Sequence, residues 1–227
     1  MNTLFHLPYA YPVSLGYNCH VKVLVERFGE MERKGYPRLP FDWLGTPMYS
    51  ICELLENNFE DFTNNSYFIL NQRKKHLQTE YLTNTKYDFC FVHDYGKDLK
   101  NISPEQFEKT AEDYTRRIQR WKDDVLQSGK HILFFRLEQL EEERTEYLRK
   151  ESEEFYVKRF CNLMKEKGVQ FHVVWFSQTA EQRSYDKEYR IITVPFRMKD
   201  IKITISADHL LPVLKGSLSF VNDCLRK

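Results

Sequence analysis

Short apolar runs with the length of buried β-strands alternate with amphipathic helical segments along most of this 227-residue chain. Near-continuous apolar runs are typical of parallel strands that are covered on both faces. Helices between such strands are the usual crossover connections of a parallel sheet. We therefore expect one α/β domain over residues 1–227, with a mainly parallel, doubly wound sheet in a three-layer arrangement with flanking helices. The predicted strands are 13–15, 87–96, 131–138, 169–176 and 190–195.

The clearest helix signal follows the second of these strands. Ser103, Pro104 and Gln106 combine an N-cap, a proline at the first helical position and a capping-box glutamine. Apolar residues then recur at steps of three and four until Gly129, which ends the predicted helix. This helix supports the alternation of strands and helices on which the fold prediction depends.

One strand–turn–helix corner places a cysteine where a thiolate is favoured. The strand at 13–15 leads to Gly16, which permits a turn with positive φ, and to Asn18, which is a good helix N-cap. Cys19 then lies in the first turn of a helix, where unpaired N–H groups and the helix dipole favour the thiolate. The alternative is a buried thiol with a purely structural role.

Polar side chains follow each predicted strand at its carboxyl end. In a parallel sheet these ends share one edge, which is where open α/β sheets bind ligands. The residues that we expect there are Ser14, Asn18, Cys19, His93, Asp94, Arg136, Glu138, Ser177 and Gln178. This set includes a nucleophile, a base and a cation, which is the composition of an active site.

Cys19 and His93 are the candidate catalytic pair within this set. Cys19 would act as the nucleophile, and His93 would take the thiol proton as the base. Glu138 is the candidate for the third group, which orients the imidazole, and Asp94 and Asp42 are alternatives.

Other residues of the set would contact the substrate. Arg136 could hold a carboxylate or phosphate through two parallel hydrogen bonds. The backbone N–H groups after Gly16 and the Asn18 amide would stabilise an oxyanion. Ser14 and Asp94 are counted with this substrate-binding group.

Each of these roles has a structural alternative. His93 could be a core histidine hydrogen-bonded at a strand end, and Asp94 a turn residue that caps local N–H groups. Arg136 could be half of a buried ion pair with Glu138 or Asp42.

A second motif surrounds Asp42 with large apolar residues. Pro40 favours an extended entry, and Phe41 and Trp43 flank the carboxylate. Asp42 is then either solvated at a loop tip or held as a functional group. We include Asp42 and Trp43 among the substrate-binding candidates.

Composition excludes several classes of function. Lys and Arg number 34 against 33 Asp and Glu, so charge gives no support for binding nucleic acid or a membrane surface. No apolar run could span a bilayer, and residues 1–11 lack the pattern of a signal peptide. Five scattered cysteines indicate a reduced, cytoplasmic protein. Without a glycine-rich phosphate loop or metal-ligand spacing, we expect no cofactor and no metal.

Three motifs resemble a family described as papain-like cysteine peptidases. They are the segments 13–19 (VSLGYNC), 40–43 (PFDW) and 91–95 (FVHDY), and the strand ending in Arg136 is also similar. The resemblance implies Cys19 as nucleophile and His93 as base. It also implies an alternative α+β fold, in which the nucleophile helix packs on an antiparallel sheet that carries the histidine.

Three functions are compatible with these residues. The first is a cysteine-dependent hydrolase or peptidase-like acyl-transfer enzyme that uses Cys19 and His93 on a small-molecule, peptide or glycan substrate. The second is a glycan-modifying transferase or esterase-like enzyme at the same edge, with His93 or Asp42 as base and Arg136 on an anion. The third is a ligand-binding protein without catalysis. The oligomeric state does not follow from the sequence.

Overall fold

A mostly parallel, five-stranded sheet forms the larger part of the fold. The computed structural model describes residues 10–17, 19–28, 37–72, 80–91, 93–95, 98–138, 151–196 and 207–226. The sheet order is β1 (Ala10–Ser14), β6 (His131–Leu137), β7 (Gln170–Ser177), β9 (Ile191–Pro195) and β8 (Ser184–Asp186). The first four strands pair in parallel, and β8 pairs antiparallel with β9. The predicted α/β class with a mainly parallel sheet is confirmed.

The order of the parallel strands differs from that of a doubly wound sheet. β1, β6, β7 and β9 follow one another across the sheet in chain order, whereas a doubly wound sheet reverses its strand order. The connection from β7 to β9 contains the edge strand β8 in place of a crossover helix. This sheet therefore has no switch point among its described parallel strands.

A second sheet of four strands is entirely antiparallel. Its order is β2 (Leu44–Gly45), β5 (Phe89–Phe91), β4 (Glu80–Asn84) and β3 (Phe68–Gln72). The predicted strand at 87–96 is β5, so its expected place in the parallel sheet is wrong. All three residues of β5 are buried. An apolar run of this kind shows that both faces are covered, but it does not give the direction of the neighbouring strands.

Six α-helices occur in the described part of the chain. They are α1 (Cys19–Phe28), α2 (Met48–Glu56), α3 (Pro104–Arg120), α4 (Glu153–Glu166), α5 (Ala207–Lys215) and α6 (Leu218–Leu225). A π-helical turn, Trp121–Leu126, extends α3, and a 3₁₀ turn, Asn65–Tyr67, precedes β3. Ser103 caps α3 in a capping box with Gln106, as the sequence predicts. Every described helix is too short or too polar to cross a lipid bilayer.

Successive residues of β6 enter two different hydrophobic cores, because side chains alternate between the faces of a strand. Ile132 and Phe134 pack in a core with α2, α3, α4 and the antiparallel sheet. Leu133 and Phe135 pack in a second core with α1, α5 and α6. The first core contains residues of both sheets, so it joins the strand that precedes α1 to the sheet that contains β5.

Candidate active site

A tight turn connects β1 to α1 and determines where Cys19 lies. Gly16 has φ +71°, and a Cβ there would lie 3.1 Å from the carbonyl oxygen of Phe41. The Gly16 N–H donates to Ser14 Oγ over 3.2 Å, so Ser14 shapes this turn. Cys19 is the first residue of α1, as predicted. Asn18, the predicted N-cap and oxyanion group, lies outside the described residues.

Cys19 differs from the other four cysteines in its exposure. It is partly exposed, whereas Cys52, Cys90, Cys161 and Cys224 are buried, and none of the five forms a disulfide bond. Burial raises the pKa of the Cys19 thiol, and a hydrogen bond from its own backbone N–H lowers the pKa less strongly. The predicted stabilisation of the thiolate by the helix start is therefore outweighed by desolvation. The resting form is a neutral thiol.

Asp42 is held in the interior next to α1. Its Oδ2 accepts a hydrogen bond from the Leu39 N–H over 2.8 Å, and Lys22 Nζ lies 2.8 Å from the same oxygen. Both side chains are about 1% exposed. Burial raises the pKa of Asp42, and the Lys22 charge opposes that rise. Of the two predicted environments, the fixed carboxylate is the one found, and it connects the 40–43 segment to the helix of Cys19.

Trp43 and His93 pack against each other, although they come from different motifs. Their ring centroids are 5.6 Å apart and their planes meet at 84°, which is an edge-to-face contact. Trp43 is partly exposed and has φ +66°, and His93 is exposed. His93 is therefore not the buried strand-end histidine of the structural alternative. The His93 side chain is exposed to solvent and packs on one side against the Trp43 ring.

His20 is a residue that the sequence analysis did not select. Burial lowers its pKa most, and Asp208 raises it, while His209 and His93 lower it further. His93 therefore lies within electrostatic reach of His20, the residue that follows Cys19. Asp208 of α5 also pairs with Arg27 of α1, and both helices pack in the second core. Its position directly after Cys19 is the feature of the sequence that could have identified His20 as a candidate.

Asp94 is bonded to α3. Its carboxylate accepts hydrogen bonds from Tyr114 Oη over 3.0 Å and from Arg117 Nη1 over 3.2 Å. Both partners are buried side chains. Asp94 thus fixes the chain immediately after His93, in place of the predicted turn cap.

Arg136 is fully buried, and its guanidinium donates four hydrogen bonds to three residues. Its Nε and Nη2 donate to Glu153 Oε1 over 2.8 and 2.6 Å. Its Nη1 donates to the carbonyl oxygens of Leu15 and Thr46 over 2.9 and 2.8 Å. The ion-pair alternative is therefore the one found, but the expected partners Glu138 and Asp42 were wrong. Glu153 was missed because nothing in the spacing of residues 136 and 153 indicates that β6 and the start of α4 meet.

Glu138 binds the segment that follows β7. The described hydrogen bonds of its carboxylate come from Ser177 Oγ, the Gln178 N–H, and the N–H and hydroxyl of Thr179. Parallel strand ends therefore do bring Glu138, Ser177 and Gln178 together, as expected. In the described contacts Glu138 is engaged with this segment, so a role in orienting His93 stays a prediction.

The predicted site residues thus fall into two groups. Cys19 begins α1, and the packed rings of Trp43 and His93 are linked to this helix through Asp42 and His20. Glu138, Ser177 and Gln178 are hydrogen-bonded to one another at the ends of β6 and β7. Among the residues that the structure describes, no three His, Cys, Asp or Glu side chains are grouped so that they could hold a metal ion. The first group can supply a nucleophile, a base and an aromatic wall.

Comparison with known protein families gives a match that covers most of the chain. A family model described as "putative papain-like cysteine peptidase" matches residues 11–181, which is well over half of the chain. The match spans the Cys19 turn, the Trp43 segment and His93. Searches of curated proteins and of solved structures found no match.

Proposed function

Since the chain belongs to this family of papain-like cysteine peptidases, we propose that it is a cysteine-dependent hydrolase or acyl-transfer enzyme. Cys19 is the nucleophile and His93 is the base. The observation that carries the proposal is the position of Cys19. It is the one partly exposed thiol among five, and it begins a helix directly after a strand.

The raised pKa of Cys19 dictates how the thiol must react. A neutral thiol attacks a carbonyl carbon effectively only when a base removes its proton. His93 takes that proton as the sulfur–carbon bond forms, and the backbone N–H groups at the start of α1 stabilise the oxyanion. The protonated imidazole then gives the proton to the leaving amine or alcohol. Water hydrolyses the thioester, or an acceptor nucleophile takes the acyl group.

Glu138 remains the predicted third catalytic group, which would orient the His93 imidazole. Asp94 and Asp42 have the supporting roles that their contacts suggest. Asp94 secures the chain beside His93 through Tyr114 and Arg117, and Asp42 secures the Trp43 segment to α1 through Lys22.

The substrate that we propose is a peptide, glycan-linked or small-molecule amide or ester. The partly exposed Trp43 ring would cover an apolar part of the acyl group. The transferase alternative required Arg136 to bind an anion. Its burial and its four hydrogen bonds disfavour that role.

We further propose that residues 1–227 form one three-layer domain that resides in the cytoplasm. The first core supports a single domain because it contains side chains from both sheets. The two cores on opposite faces of the parallel sheet support the three layers. Five cysteines outside any disulfide support a reducing compartment.

The test is the pH dependence of Cys19 alkylation by iodoacetamide, followed residue by residue by mass spectrometry. The wild type is compared with His93→Ala and with the matched control His20→Ala, which removes the neighbouring histidine. We expect a component of the Cys19 rate at pH values below the pKa of about 8.5 of a free thiol, because His93 accepts the thiol proton. This component disappears in His93→Ala and persists in His20→Ala.

The buried cysteines serve as internal controls, because they should remain unmodified in the folded protein. If Cys19 reacted only above the pKa of about 8.5 of a free thiol, equally in all three proteins, the proposed catalytic pair would be wrong. The chain would then be assigned to ligand binding without catalysis.

A further inference from the structure

Tyr17 and Trp43 are two aromatic residues whose backbone lies in the left-handed region, which residues other than glycine rarely adopt. Tyr17 has φ +75° and Trp43 has φ +66°. Left-handed backbone at a bulky residue is disfavoured and persists only when the surrounding contacts hold it. Tyr17 lies two residues before Cys19, and Trp43 forms the wall beside His93. Contacts around each of the two turns must therefore hold this backbone conformation.

The guanidinium of Arg136 contacts the Tyr17 turn and the end of the short strand β2, which directly follows the Trp43 turn. Its Nη1 donates one hydrogen bond to the carbonyl oxygen of Leu15, two residues before Tyr17, over 2.9 Å. It donates another to the carbonyl oxygen of Thr46, three residues after Trp43, over 2.8 Å. The Arg136 Cζ also lies 5.8 Å from the centroid of the Tyr17 ring. One buried group thus joins the turn after β1 of the parallel sheet to the residue that follows β2 of the antiparallel sheet.

Glu153 fixes the orientation of this guanidinium. Its Oε1 accepts from Nε over 2.8 Å and from Nη2 over 2.6 Å. With these two N–H groups held, the plane of the guanidinium is set and Nη1 points at the two carbonyl oxygens. A lysine ammonium carries a similar charge but lacks the planar arrangement of donors that makes these contacts together.

We propose that Arg136, oriented by Glu153, is a positioning residue that sets the placement of Cys19 relative to Trp43 and His93. This inference rests on the proposed function, because it concerns the same catalytic pair. Arg136 does not touch the substrate. It acts through the two carbonyl groups that it holds.

The experiment compares Arg136→Lys and Glu153→Gln with a control variant of an arginine–carboxylate pair that also involves α4. Arg159→Lys alters a similar arginine–carboxylate arrangement on the surface, where Arg159 Nε donates to Glu56 Oε1 over 2.9 Å and Nη2 lies 2.9 Å from Glu53 Oε1. Folding of each variant is checked by circular dichroism. Glu153→Gln retains the shape of the side chain. If Arg136→Lys does not fold, the result for Glu153→Gln tests the positioning role of Arg136.

Two readouts are measured on each folded variant. The first is the His93-dependent component of the Cys19 alkylation rate. The second is the NMR chemical shift of the His93 ring protons, which is sensitive to the ring current of Trp43. We expect Arg136→Lys to lose the alkylation component and to change the His93 shift. Glu153→Gln should show both effects more weakly, and Arg159→Lys should show neither.

The outcomes separate the two proposals. If the wild type lacks the His93-dependent component, the proposed function fails, while the His93 shift still reports whether Arg136 sets the geometry. If the wild type shows the component and a folded Arg136→Lys or Glu153→Gln keeps both wild-type readouts, the positioning role is overturned.

Discussion

Acidification should destabilise the protein through a histidine far from the candidate site. His172 on β7 is 7% exposed. Its Nδ1 lies 2.9 Å from His131 Nε2, and its Nε2 lies 3.1 Å from Tyr185 Oη. Burial first, and then the charges of His131 and Arg190, lower the pKa of His172 from 6.5 to about 4. The folded protein therefore binds this proton less tightly than the unfolded chain does.

The sign and the pH window follow from this difference. The stability that neutral His172 contributes is full above the ordinary histidine pKa of about 6.5 and is lost as the pH falls towards 4. One pKa unit corresponds to about 1.4 kcal/mol, which gives an upper value of about 2 kcal/mol between pH 7 and pH 5. Screening at the partly exposed His131 reduces the expected loss to between about 1 and 2 kcal/mol.

The assay is urea unfolding at about pH 7 and about pH 5, for the wild type and His172→Gln. Other groups also titrate in this range, so the quantity of interest is the difference between the two proteins. We expect the free energy of unfolding to fall less in His172→Gln, by the amount given above. Tyr185→Phe is the matched control, because it removes the hydroxyl partner and leaves the titrating imidazole. A pH-independent difference between wild type and His172→Gln would refute the reasoning.

Two further predictions concern the turns beside Cys19. Gly16→Ala should destabilise the fold by more than Gly129→Ala, since both glycines have positive φ but only Gly16 has a backbone oxygen within 4 Å of the added Cβ. Left-handed backbone at alanine costs about 1–2 kcal/mol by itself. Urea unfolding should show that Gly16→Ala lowers the free energy of unfolding by more than this amount. Equal losses in Gly16→Ala and Gly129→Ala would contradict the close packing around Gly16. Asp42→Asn should cost about 3–5 kcal/mol, because it removes the charge that faces buried Lys22. The exposed Asp208→Asn should cost far less than Asp42→Asn, because water screens its pair with Arg27. An equally small effect of both substitutions would show that the Asp42–Lys22 pair is not needed for stability.

The parallel sheet could be predicted because its apolar runs are local features of the chain. Residues 131–137 and 170–177 contain enough apolar side chains in succession that only burial on both faces accommodates them. The same pattern at Phe89–Phe91 led to the wrong sheet. Burial depends on what covers a strand, whereas pairing direction depends on where the chain turns, and no local pattern at β5 encodes that.

The position of Cys19 could also be predicted, but its protonation could not. Gly16 and the apolar spacing that follows it define the turn and the start of α1 from sequence alone. The pKa of the thiol depends on how much protein surrounds it after folding, and that burial outweighs the local hydrogen bond at the helix start. Likewise, the charge of Arg136 was visible in the sequence, but its partner Glu153 becomes a neighbour only when α4 packs next to β6.

The two sheets explain why the family resemblance and the strand pattern pointed to different folds. Cys19 follows β1 of the parallel sheet, as the strand pattern requires. His93 follows β5 of an antiparallel sheet, as the family resemblance implies. The proposed catalytic pair therefore has no single sheet edge to set its geometry. The alignment of Cys19 and His93 must come from contacts between the parts of the chain that contain the two sheets. The described contacts of this kind are buried: Arg136 with Leu15 and Thr46, and Lys22 with Asp42. Substitutions in these pairs should therefore affect the reactivity of Cys19 more than substitutions at equally buried positions within either sheet.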